Sequence, residues 1–98
     1  MNALLAEAKA LKQDIVLCQR PLRYLICLKA LSKTEYLSAE KVAKRMEEIN
    51  ASLRMDPIQA AAILRILSIN GYVERIRKGK CLYRRTDKQI PMLREVSK

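Results

Sequence analysis

The chain changes its periodicity at Asn70-Gly71, and no other position limits its fold as much. Before that point apolar residues recur three and four apart. After it, β-branched and aromatic residues gather in two short runs, Tyr72–Arg77 and Lys80–Arg85, on either side of Lys78-Gly79. A helix must therefore end near Ile69, leave through a left-handed residue, and pass directly into an antiparallel hairpin. Gly79 supplies the positive φ of the tip, although Lys78 is less favourable than Asn or Asp at the first turn position.

The helix that ends there begins at Asp56-Pro57, an aspartate cap followed by proline in the first turn. Its spacing turns Ala60, Ile63, Leu64 and Leu67 toward a core and leaves Ile58, Gln59, Ala61, Ala62, Arg65, Ile66 and Ile69 on its other sides. Upstream, Ser38 caps a helix over Ala39–Ile49 whose core positions are Val42, Ala43, Met46 and Ile49, and Asn50–Met55 is a turn. Thr34–Leu37 reads as one short strand or an extended link. Pro21 opens a helix to about Ser32 with a stripe of Leu22, Leu25, Ile26, Leu28 and Leu31. Tyr36, Tyr72 and Tyr83 are expected in or beside the core.

Residues 1–19 form an amphipathic helix with Leu4, Ala8, Leu11, Ile15 and Cys18 along one seam. That seam is expected to pair two protomers in a homodimer, and the competing expectation is that it caps the domain's own core. With residues 20–87 as the main unit and 88–98 as a tail, the 98 residues make a single, mainly α domain of the α+β class with a small antiparallel hairpin.

Charge then narrows the function. Twenty Lys and Arg against ten Asp and Glu give a formal charge of +10, which favours a polyanionic partner. Catalysis has little support, because the sequence has no histidine, no glycine-rich phosphate loop and only two glycines. No metal or cofactor is expected: Cys18, Cys27 and Cys81 are scattered without ligand spacing and read as small buried hydrophobes. Charges interrupt every apolar run, so no membrane association is expected. Met1–Glu7 lacks a basic region followed by an apolar one, so an intracellular, cytoplasmic setting is expected, nucleoid-associated if the source is prokaryotic or viral.

The hairpin carries the sharpest functional signal. Arg75, Arg77, Lys78, Lys80, Arg84 and Arg85 lie between positions 75 and 85 with no acid among them. A projecting basic hairpin suits phosphate or minor-groove contact. Leu64, Leu67, Asn70-Gly71-Tyr72-Val73-Glu74-Arg75, Lys78-Gly79-Lys80 and Tyr83-Arg84-Arg85-Thr86-Asp87 resemble the recognition-helix end, first wing strand, wing tip and second wing strand of a winged helix-turn-helix domain. The resemblance covers Pro21 to Asp87 and is to the kind common in bacterial and archaeal transcription regulators. It implies double-stranded DNA binding, with the helix from Pro57 in the major groove and the wing on the backbone or minor groove. The contact residues it points to are Ser38, Gln59, Ala61, Ala62, Arg65, Arg75, Arg77, Lys78, Gly79, Lys80 and Arg84. Of these only Gln59 and Arg65 are placed on the helix to hydrogen-bond base edges, so modest sequence selectivity is expected. Two alternatives stand beside this: a protein-interaction module docking through Ile58, Ala62, Ile66 and Ile69, and non-specific binding of nucleic acid, RNA included.

Overall fold

A computed structural model describes residues 2–15 and 20–90, with side chains from residue 6 onward. Its order is α1 (Asn2–Asp14), α2 (Pro21–Ala30), β1 (Leu37–Ser38), α3 (Ala39–Ile49), α4 (Pro57–Ile69), β2 (Val73–Lys78) and β3 (Lys80–Arg85). α2 is the central helix, packed on α1, α3 and α4. The three strands form one antiparallel sheet in the order β1-β3-β2. This is a small α+β domain, compatible in layout with a winged helix.

Local chemistry accounts for the boundaries. The Ser38 hydroxyl accepts the Lys41 amide at 3.2 Å and starts α3. At α4 the Asp56 carboxylate accepts the Gln59 amide at 2.8 Å, while the Gln59 side-chain oxygen accepts the Asp56 amide at 3.3 Å. This reciprocal box satisfies two donors that a helix start otherwise leaves open. Asp56→Ala is expected to lower stability by about 1 kcal/mol, read as a lower urea midpoint at unchanged slope. At the other end Gly71 adopts φ +86°, as the exit from α4 requires.

The structure corrects several sequence expectations. α2 stops at Ala30 rather than Ser32, because Leu31 turns extended and the Ser32 hydroxyl accepts the Thr34 and Glu35 amides, holding a turn in place of another helical residue. Leu22 and Ile49, expected in the core, are 40% and 48% exposed, since each lies at a helix end beyond the packed stretch. The strand is only Leu37–Ser38 and overlaps the expected Thr34–Leu37 at Leu37 alone, because Leu37 pairs with Tyr83 and Ser38 with Leu82. Cys27 is buried, which pushes its thiol up to about 12 and keeps it protonated, whereas Cys81 is only half-buried on the wing. Cys18 lies outside the described residues.

The largest correction concerns α1. Ala8, Leu11 and Ile15 are 4%, 0% and 1% exposed within a single chain, in one cluster with Leu25, Cys27 and Leu28 of α2. These three seam residues are covered by the domain's own core. The side chains of Leu4 and Cys18, the other two seam residues, lie outside the described ones. The long connection 50–56 is likewise anchored: Leu53 and Met55 are buried, and the Met55 amide donates to Glu47 at 3.0 Å.

Residues after the hairpin also belong to the domain. The Thr86 hydroxyl donates to the Gly71 carbonyl at 2.6 Å, and Lys88 reaches the Asn70 carbonyl at 2.8 Å and the Asp14 carboxylate at 3.1 Å. Lys88 also lies 4.4 Å from the ring centre of Tyr72, a fully buried residue whose hydroxyl donates to Asp14 at 2.7 Å. Burial first, then the bond to Asp14, raises the Tyr72 pKa. The end of α1, the exit of α4 and the start of the tail are thus tied at one point. The expected tail beyond Ile90 lies outside the described residues.

Candidate nucleic-acid interface

α4 buries Ala60, Ile63, Leu64 and Leu67, as its spacing requires, and presents the opposite stripe to solvent. Ile58, Ala62, Arg65 and Ile69 occur at intervals of four, three and four and are all exposed, so they share one outer face. Ile58 is 82% and Ile69 74% exposed, with Ile66 half-buried beside them. Ala61, named as a contact residue, is half-buried on the flank, while Ala62 stands on the open face. Gln59 is exposed, but its oxygen accepts the Asp56 amide in the helix cap, which fixes the side chain over the start of α4. Arg65 has no hydrogen-bond or ion-pair partner among the described residues. It is the one long polar side chain on this face with its full donor set open.

The hairpin register separates the wing's cations. Arg75 pairs with Tyr83 and Arg77 with Cys81, on the face that carries buried Val73, Tyr83 and Leu37 at the root. The opposite face carries Glu74 across from Arg84, Ile76 across from Leu82, and Lys78 across from Lys80. Beyond Tyr83 the strands leave the core: Arg75, Arg77, Lys78, Gly79 and Lys80 are all exposed. Gly79 has φ +74° and open space where a side chain would stand, so the tip is free of the rest of the domain. Arg75, Arg77, Lys78 and Lys80 make no ion pair with any described residue.

Arg84 behaves differently from the role expected of it. It forms an ion pair with its cross-strand neighbour Glu74 and lies 4.6 Å from the ring centre of Tyr36. Hydrogen bonds from Arg84 and then Tyr36 hold the Glu74 carboxyl below the usual carboxylate range. The Arg84 charge is therefore paired within the chain, across the two strands at the wing root. Ser38 also has a structural duty, since its hydroxyl oxygen caps α3 while its backbone joins the sheet. Among the described residues no group of His, Cys, Asp and Glu could hold a metal ion, and no helix is long and apolar enough to cross a membrane.

Two of these features have a signal in the residues themselves. The register that pairs Arg84 with Glu74 follows from placing Gly79 at the apex, and Asp56-x-x-Gln59 is a recognisable capping-box pattern. A cleft formed by Lys33 with the end of β3 had no such signal, because it depends on residues about fifty positions apart. Compared with known protein families, with curated proteins and with solved structures, the chain matches none.

Proposed function

We propose that this protein binds double-stranded DNA and acts as a transcription regulator, with the outer face of α4 in the major groove and the wing on the adjacent backbone or minor groove. The observation that carries this reading is the set of four unpaired, exposed cations, Arg75, Arg77, Lys78 and Lys80, on a hairpin that follows α4 directly. Lys78 and Lys80 stand directly opposite one another, a like-charge placement that costs hairpin stability and that a phosphate oxygen would relieve. On α4, Arg65 supplies guanine-type hydrogen bonding, and Ala62 and Ile69 supply apolar contact suited to thymine methyls. One bidentate contact discriminates by ~1–3 kcal/mol, so selectivity is modest. With Ala8, Leu11 and Ile15 covered, two-fold pairing through that helix loses its support, and a single half-site replaces the inverted repeat that a dimer spacing of ~34 Å would give.

Selection of bound sequences from a random duplex pool at ~150 mM salt tests this reading. The expected result is one short motif without two-fold symmetry, whose preferred guanine disappears in Arg65→Ala. Equal retention of all duplexes, or equal binding of RNA, contradicts it and favours the non-specific reading.

A second reading rests on Ile58 and Ile69, whose exposure is unusual for a helix facing a polyanion. In it α4 docks an apolar protein surface while the wing tethers the assembly to nucleic acid. Ile58→Ser with Ile69→Ser separates the two: weaker DNA binding supports the groove, and unchanged DNA binding supports the protein partner.

A further inference from the structure

Ile58 and Ile69 are the most exposed large hydrophobic side chains among the described residues, and both stand on the outer face of α4, about 16 Å apart along its axis. Ala62 and Arg65 lie between them on the same face, in steps of four, three and four. That is the spacing of a seam along which two helices pack. Ala8, Leu11 and Ile15 of α1 keep the same rhythm and are covered by the domain's own core, whereas the α4 seam is bare. Under the groove reading Ile58 has no duty, and exposed apolar residues gathered on one face mark an interaction site.

Charge decides what fits the seam. Pairing with a second copy, whichever way the two helices run, brings two Arg65 side chains within about one helical turn of each other on an otherwise apolar strip. Two chains of formal charge +10 also repel at a distance. A helix that carries a carboxylate at the matching position removes both objections. Arg65 has no hydrogen-bond or ion-pair partner among the described residues, and Pro57–Ile69 contains no acid to oppose an incoming one.

We infer that the outer face of α4 docks an acidic amphipathic helix of a partner protein, with apolar side chains of that helix on Ile58, Ala62 and Ile69 and one carboxylate on Arg65. The chain's net positive charge draws such a partner in and discriminates against basic ones. This names the chemistry of the partner in the second reading above. Under the DNA reading the same face lies in the major groove, so helix and duplex exclude each other and the partner inhibits DNA binding. That regulatory consequence rests on the DNA reading, whereas the docking itself does not.

The probe is a lactam-stapled helical peptide of about 18 residues, with leucine along one seam, a single glutamate at the centre of that seam, and glutamate and alanine elsewhere. It is titrated against the full chain by fluorescence anisotropy at ~150 mM salt. A dissociation constant on the order of 10 µM is expected, with a scrambled peptide of the same composition about tenfold weaker or more. Ile58→Ser and Ile69→Ser each weaken binding about tenfold. Arg65→Glu reverses the charge preference: it loses the peptide with the seam glutamate and gains the one with lysine in its place. Added to a complex with a labelled duplex, the peptide releases the duplex, and a peptide that binds without releasing it overturns the exclusion. If the chain binds no duplex at all, the DNA reading fails and the direct titration still decides the docking. The inference is overturned if ordered and scrambled peptides bind alike, or if folded Ile58→Ser and Ile69→Ser proteins bind the peptide as the wild type does. Self-association of the wild type that Ile69→Ser abolishes would give the seam to a second copy and overturn it as well.

Discussion

Leu11→Asp unfolds this domain outright. Leu11 is fully buried between α1 and α2, among Ala8, Ile15, Leu25 and Leu28. Truncating such a leucine to alanine already removes ~2–5 kcal/mol through forfeited transfer energy and the cavity left behind. An aspartate there adds an unpaired charge with no basic side chain in the buried set. Domains of this size hold ~5–15 kcal/mol in total, so the sum exceeds what remains. The expected result is loss of the cooperative thermal transition and of most helical circular dichroism at 25 °C, while Leu11→Ala still folds with a lowered midpoint. A Leu11→Asp protein that stays folded and merely becomes monomeric would restore the seam as an intersubunit surface and remove α1 from the core.

The second large effect is on binding. Replacing Arg77, Lys78 and Lys80 together with alanine is expected to weaken duplex binding about a hundredfold at 50–100 mM salt. The slope of log K against log salt should fall by ~2.7, which is ~0.9 for each phosphate that the wing no longer neutralises. Stability should hold or rise slightly, because the Lys78–Lys80 opposition disappears and no ion pair is broken. Arg84→Ala is the informative control. It breaks the bond to Glu74 and the stacking on Tyr36, so it should lower stability and leave the salt slope nearly unchanged. A triple variant with wild-type slope would mean that the wing does not touch phosphate.

These two predictions mark the boundary between what local chemistry specified and what it did not. Ser38, Asp56-Pro57 and Asn70-Gly71 act on neighbours one to four residues away, so the starts of α3 and α4 and the exit of α4 were legible from their types alone. The same holds for the buried set of α4, because only one face can meet the core. The α1 seam does lie on one face, but periodicity states that a face is apolar and not what covers it. A second copy and the domain's own α2 leave the same pattern. The tie of Tyr72 to Asp14, fifty-eight positions apart, and of Lys88 to both, is set by tertiary approach and has no local mark.

The candidate site divides in the same way. The density of basic residues on the wing was readable, but which of them are free depends on register. Glu74, the acid immediately before the run, pairs with Arg84 and offsets its charge. Gln59 is held at the cap of its own helix by the bond its oxygen accepts there, which concentrates base reading on Arg65.

The central claim is that the wing cations and the outer face of α4 meet one duplex at the same time. A titration of the nitrogen-labelled chain with a selected duplex at ~150 mM salt, followed by backbone amide shifts, tests it most directly. The largest changes are expected at residues 75–80 together with those around Ala62, Arg65 and Ile69, with residues 24–28 of the buried helix α2 unmoved. Changes confined to the wing, with α4 silent, or no saturable change at all, would contradict it.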